Sequence, residues 1–160
     1  MESKNRLNDI QGFLEISDRL GTAGQPHRDQ FALLPDAGYQ AVINLAMPDS
    51  WDAVADEGQI VANLSMEYIP IPVVWESPQL EDLHHFFAAM DRLEDKKVFV
   101  HCARNMRVSA FVYLYRVLRL GETQPAALAD LHLIWQPNPV WQGFIDQALQ
   151  SYSSGDQTSR

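Results

Sequence analysis

Val98-Phe99-Val100-His101-Cys102-Ala103-Arg104-Asn105-Met106-Arg107-Val108-Ser109 is a short apolar strand that stops at a cysteine, crosses a brief polar loop and resumes as a helix beginning near an arginine. Cys102 is the one cysteine of the 160-residue chain. Read blandly it is a small buried apolar residue, a common role for a free thiol. A strand–loop–helix junction followed by Arg107 fits a nucleophile at the mouth of an anion-binding loop better. Loop amides and the positive end of the following helix hold a phosphate there and favour the thiolate. A guanidinium at Arg107 grips two oxygens at once and stabilises charge in the transition state. Ser109, in the first helical turn, is placed to donate to the sulfur. His101, just before the cysteine, is placed to hydrogen-bond the loop backbone and stiffen it. Ala103, Arg104, Asn105, Met106 and Val108 complete the candidate loop. Arg104 adds a second guanidinium that either raises anion affinity or faces solvent.

Outward from that junction the chain alternates. Residues 4–11 read as a short helix with Leu7 and Ile10 on one face, and Phe13–Ile16 as a strand. Gly21–Pro26 reads as a turn-rich link, and residues 27–37 as a helix through Phe31, Leu33 and Leu34, closed near Gly38. Tyr39–Leu45 is a buried strand, residues 52–63 a helix, Met66–Ile71 a strand and Pro78–Leu93 a helix. Lys97–His101 leads into a long helix from Arg107 to Leu120, ended by Gly121. Pro125–Ile134 and Pro139–Tyr152 are two more helices. Strands alternating with helices predict an α/β fold, with a mainly parallel central sheet of four to five strands flanked by helices. Residues 1–152 form a single domain on this reading, and 153–160 a polar, frayed tail.

Composition narrows the function. The net charge is −9 and hydrophobic residues make up 46%. A packed globule follows, with no nucleic-acid partner expected, because no Lys/Arg cluster exceeds Arg116 and Arg119. No apolar run is long enough to span a membrane. One cysteine fits a reducing compartment, and Met1–Arg6 lacks a leader's apolar segment, so a cytoplasmic location is expected. His84 and His85 are adjacent and so do not share a helix face; no metal or other cofactor is expected. Trp135 and Trp141 stand near a helix turn, where core packing is the default and a place at the pocket mouth the alternative.

The pairing of His101-Cys102 with Arg107 resembles the signature of the cysteine-dependent protein tyrosine and dual-specificity phosphatases. Gly24-Gln25-Pro26 and Gly38-Tyr39-Gln40-Ala41-Val42-Ile43-Asn44-Leu45 are similar to the opening of a bacterial phosphatase-like family, which includes the domain fused to beta-lactamase-fold hydrolases. Gln136-Pro137-Asn138 with Phe144 and Gln147 resembles the C-terminal segment of dual-specificity phosphatases. The resemblance implies a tyrosine-phosphatase-like fold and a phosphorylated substrate, whether a small molecule, a protein or a lipid.

Several positions depart from that signature. Four residues rather than five separate Cys102 from Arg107, a spacing the bacterial family shares. The loop glycine is absent, and Asn105 is the residue of the four that best tolerates a left-handed backbone. Val108 stands where a Ser/Thr follows the arginine. The family's general acid is an aspartate in the loop after the strand equivalent to Met66–Ile71, and here Val73 and Val74 occupy that stretch. Glu76 is the nearest carboxylate and the candidate acid, although it also reads as a solvated residue ahead of Pro78. Asp49, on the preceding strand's loop, is the alternative, although it also reads as a turn residue. Three functions are consistent with this pattern: a phosphatase passing through a phosphocysteine, a phosphoryl-binding module lacking turnover, and a rhodanese-like sulfurtransferase carrying a persulfide on Cys102.

Overall fold

The structure is a computed structural model and describes residues 6–155. Strands β1 (Leu14–Ser17), β2 (Leu20–Ala23), β3 (Ala41–Asn44), β4 (Glu67–Pro70) and β5 (Val98–His101) form one sheet in the order β1-β2-β5-β3-β4. Around it lie α1 (Leu33–Asp36), α2 (Glu57–Asn63), α3 (Leu80–Arg92), α4 (Met106–Leu118), α5 (Gln124–Ile134) and α6 (Pro139–Gly155). Pairing is parallel from β2 through β5 and β3 to β4, and only β1 is antiparallel to its neighbour. The expected α/β fold with a mainly parallel sheet is therefore found.

Side-chain alternation along the strands sorts the core into two layers. Leu20, Ala41, Ile43, Val98 and Val100 face α3 to α6, where Phe86, Phe111 and Trp141 fill the space. Ala23, Val42 and Phe99 face the opposite layer with Phe31, Leu34, Val61 and Ile10. Helix α4 is buried from Arg107 through Arg116, as expected for the helix leaving the central strand. All four parallel strands end at one edge of the sheet, so Gly24, Cys102, Leu45 and Ile71 follow one another there. That edge is where parallel α/β sheets place ligands.

Four segments differ from the sequence reading. Leu20–Ala23, assigned in part to a link, is a fully buried strand. The helix expected over 27–37 splits into a 3-10 turn at Arg28–Gln30 and the single turn of α1. Pro35 has no N–H to donate to Phe31, which prevents one continuous helix. The helix expected over 52–63 begins at Glu57; the residues before it are held in turns by Ala53 N–H on Ser50 O and by Ser50 Oγ on Asp52. Helix α6 runs beyond Tyr152 to Gly155, and the rest of the 153–160 segment lies outside the described residues, as does the start of the 4–11 helix.

Candidate active site

The cysteine loop rests on a floor made by the end of β2. A Cβ on Gly24 would lie 2.6 Å from the Ala103 carbonyl oxygen and 3.1 Å from the Arg104 Cα, so only glycine lets the two chains approach. One residue on, the Gln25 N–H donates to that Ala103 carbonyl at 2.9 Å. Asn105 takes φ +67°, the left-handed conformation its side chain tolerates, and so turns the loop into α4. Its Nδ2 donates to Gly12 O at 2.8 Å and to Thr22 Oγ1 at 3.1 Å, tying the loop to the β1–β2 hairpin. Behind the loop, His101 Nδ1 lies 3.2 Å from Cys102 O, and Nε2 lies 2.5 Å from Glu57 Oε2.

On the open side, Cys102, Ala103, Arg104, Met106, Arg107 and Trp75 line a recess of about 150 Å³. Arg107 is buried, and its Nη1 donates to Val73 O at 2.8 Å. Val73 is itself fixed, because its N–H donates to Leu45 O at 2.9 Å. One guanidinium N–H is thus committed to holding the side chain in place, which leaves donors on the same fork for an oxyanion. The guanidinium carbon sits 5.9 Å from the centre of the Trp75 ring. Trp75 is held in turn by Trp141 Nε1 on its carbonyl at 2.8 Å and by ring contacts with Trp135 and Trp141 at 5.4 and 5.7 Å. Trp141 is therefore core, and the tryptophan that lines the recess is Trp75.

The candidate acids come together. Asp49 and Glu76, both exposed, line a second recess of about 360 Å³ with Met47, Ser50 and Val74. That recess shares Trp75 and Arg107 with the first. Ser109 is placed otherwise than expected. Its hydroxyl donates to Met106 O at 2.8 Å and accepts from Trp135 Nε1 at 3.0 Å, so its single proton goes to the helix backbone rather than to the sulfur. Val108 points into the core. Arg104 is exposed at the rim.

Residues 6–138 match the family model described as DSP-PTPase phosphatase fused to NAD+ kinase. The chain belongs to this phosphatase family. The chain is also similar to a beta-lactamase hydrolase-like protein of Xylella fastidiosa (strain 9a5c), 28% identical over 92% of the chain but over only 38% of that protein. It thus spans well under half the length of this curated relative. Among solved structures, the DUF442 protein of Shewanella putrefaciens CN-32 matches with a TM-score of 0.83 and 36% identity, covering 92% of this chain and 97% of that one. PTPMT1, solved with PI(5)P, shares the fold at a TM-score of 0.75 and 13% identity, over 90% of this chain and 98% of that one.

Two parts of the candidate site escaped the sequence reading. One is Glu57, buried at 3% exposure beneath His101. The other is Trp75 as the recess wall. Glu57 Oε1 accepts from Gln25 Nε2 at 3.0 Å, so a single carboxylate joins the cysteine strand to the loop's floor. Burial pushes the neighbouring Tyr68 hydroxyl above its ordinary value; a hydrogen bond from Asn44 opposes this, and the Glu57 carboxylate adds to it.

Proposed function

We propose that this protein is a phosphatase that hydrolyses a phosphomonoester through a phosphocysteine at Cys102. The thiolate attacks phosphorus, the S–P bond forms and the P–O bond to the leaving group breaks. Glu76 gives its proton to the departing oxygen. Water then attacks phosphorus, the S–P bond breaks, Glu76 takes a proton from the water, and the thiolate and inorganic phosphate are released. Arg107 spans two phosphoryl oxygens throughout. The observation that supports this reading is that Cys102 and Arg107 line one recess while the carboxylates line the recess beside it, where a leaving group would extend. The match to a phosphatase family favours phosphoryl chemistry over sulfur transfer.

The surroundings bear on the substrate. Met47, Val74 and two carboxylates line the leaving-group side, and Trp51, one residue beyond Ser50, is 84% exposed. With a net charge of −9, such a mouth suits one phosphate on an aryl or apolar body rather than a polyphosphate. The test is hydrolysis of p-nitrophenyl phosphate across pH. Cys102→Ser is expected to show no turnover, and Arg107→Lys to lose about 10²–10³-fold in kcat, because an ammonium cannot bridge two oxygens. Glu76→Gln is expected to abolish the falling alkaline limb of the rate profile. If that limb survives in Glu76→Gln and disappears in Asp49→Asn, Asp49 is the acid. Parent activity no greater than that of Cys102→Ser overturns the reading.

A further inference from the structure

We infer that Glu57 is a positioning residue, which acts through His101 to hold the cysteine loop with its amides turned toward the anion. Both ring nitrogens of His101 face oxygens: the carbonyl of Cys102 at 3.2 Å and the carboxylate of Glu57 at 2.5 Å. A carbonyl only accepts, so the Nδ1 contact is a hydrogen bond only when Nδ1 carries a proton. Glu57 is compatible with this in two protonation arrangements. As a carboxylate it accepts from Nε2–H of a doubly protonated ring; as a neutral acid it donates to a bare Nε2, which leaves the ring's one proton on Nδ1. In the third, Nε2–H on a carboxylate, a bare Nδ1 would face the lone pairs of the Cys102 carbonyl at 3.2 Å. His101 is fully buried and Glu57 nearly so, so water does not compete for either partner.

The consequence follows from peptide geometry. The C=O and the following N–H of a trans peptide point in opposite directions. His101 holds the Cys102 carbonyl outward, so the Ala103 N–H points the other way. Gln25 N–H holds the Ala103 carbonyl outward, so the Arg104 N–H does the same. Among the described residues neither N–H meets a protein acceptor. Glu57 touches both anchors, His101 directly and Gln25 through Nε2 at 3.0 Å. Around this pair stand Tyr68 from β4, whose hydroxyl feels the Glu57 carboxylate, and the ring edges of Phe31 and Phe99. A buried acid–imidazole pair carries a desolvation cost that only well-made hydrogen bonds offset. Here the pair preorganises an oxyanion site.

The kinetic meaning of this inference rests on the proposed phosphatase reading, but its test does not. Iodoacetamide alkylation of Cys102, followed against pH and against added inorganic phosphate, reads the loop without turnover. Glu57→Leu, which can neither donate to nor accept from the ring, is expected to weaken phosphate protection about tenfold and to move the alkylation profile to higher pH. In a His101→Asn background the same substitution is expected to add nothing, because it acts through the ring. Unchanged protection in Glu57→Leu, or an additive loss in the double variant, overturns the inference. The intact parent supplies a second readout that needs no variant. Its ¹⁵N spectrum is expected to show His101 Nδ1 as a protonated nitrogen at pH 8, and an unprotonated Nδ1 there also overturns the inference. If alkylation behaves as expected while the parent fails to hydrolyse aryl phosphate, the phosphatase reading falls and the positioning role stands.

Discussion

Asn105 satisfies two demands that few residues meet together. It occupies the left-handed region, and its buried amide closes hydrogen bonds to Gly12 O and Thr22 Oγ1. The two effects separate by substitution. Asn105→Gly keeps the backbone and loses the bonds, at an expected cost of about 1–2 kcal/mol. Asn105→Ala loses the bonds and adds left-handed strain of about 1 kcal/mol more. Urea unfolding of the two variants checks the order, and equal losses would show that the backbone conformation contributes nothing. The need for a left-handed residue was legible in the sequence, because a loop without glycine must turn somewhere and Asn105 is its best candidate. The cysteine and arginine were legible for a related reason: their roles depend on spacing within one junction. Glu57 was not. It stands 44 positions from His101 in sequence and opens a helix, where a carboxylate ordinarily serves the helix dipole in solvent. Only the fold reveals that this one is buried.

Strand β2 shows how an element hides. Gly21 and Gly24 flank Thr22 and Ala23, a composition that strands usually avoid and turns favour. Each glycine is there for close approach. A Cβ on Gly21 would lie 2.0 Å from the Tyr39 hydroxyl oxygen and 2.8 Å from the ring carbon bearing it. Gly21→Ala is therefore expected to cost about 1–3 kcal/mol through overpacking. Part of that loss should return in a Tyr39→Phe background, which removes the nearest atom and leaves the ring. A urea double-mutant cycle measures the coupling, and additive losses would locate the strain elsewhere. The same reasoning explains why α1 was overextended: Phe31, Leu33 and Leu34 carry the right apolar spacing and are buried, but Pro35 interrupts the hydrogen bonds a longer helix needs. Patterning of core side chains was readable in both places. Backbone contacts between distant segments were not, because they leave no periodicity.

At the scale of the whole molecule, the two core layers share one sheet and each carries raised tyrosines. Tyr39 and Tyr68 lie in the layer with α2, while Tyr113 and Tyr115 lie on α4 in the other. Burial is the largest cause of the upward shift in all four, with carboxylates adding to it: Glu15 at Tyr39, Glu57 at Tyr68, Asp146 at Tyr113 and Asp91 at Tyr115. The sign of the linkage is definite. A hydroxyl whose folded value exceeds its unfolded value keeps its proton longer in the native state. Its contribution is complete below the unfolded value near 10 and is lost as pH rises toward the folded value. Stability should therefore be level with respect to these groups up to about pH 9 and then fall, by at most about 1.4 kcal/mol per pH unit for each fully protected hydroxyl. Because both layers pack on β5, the loss should appear as one transition rather than two. Urea midpoints between pH 8 and 11.5, read alongside tyrosinate absorbance, test this. Tyrosines that ionise near pH 10 without any fall in the midpoint would mean that the native state admits their charge. Two separate steps would mean that the layers on either face of the sheet unfold independently.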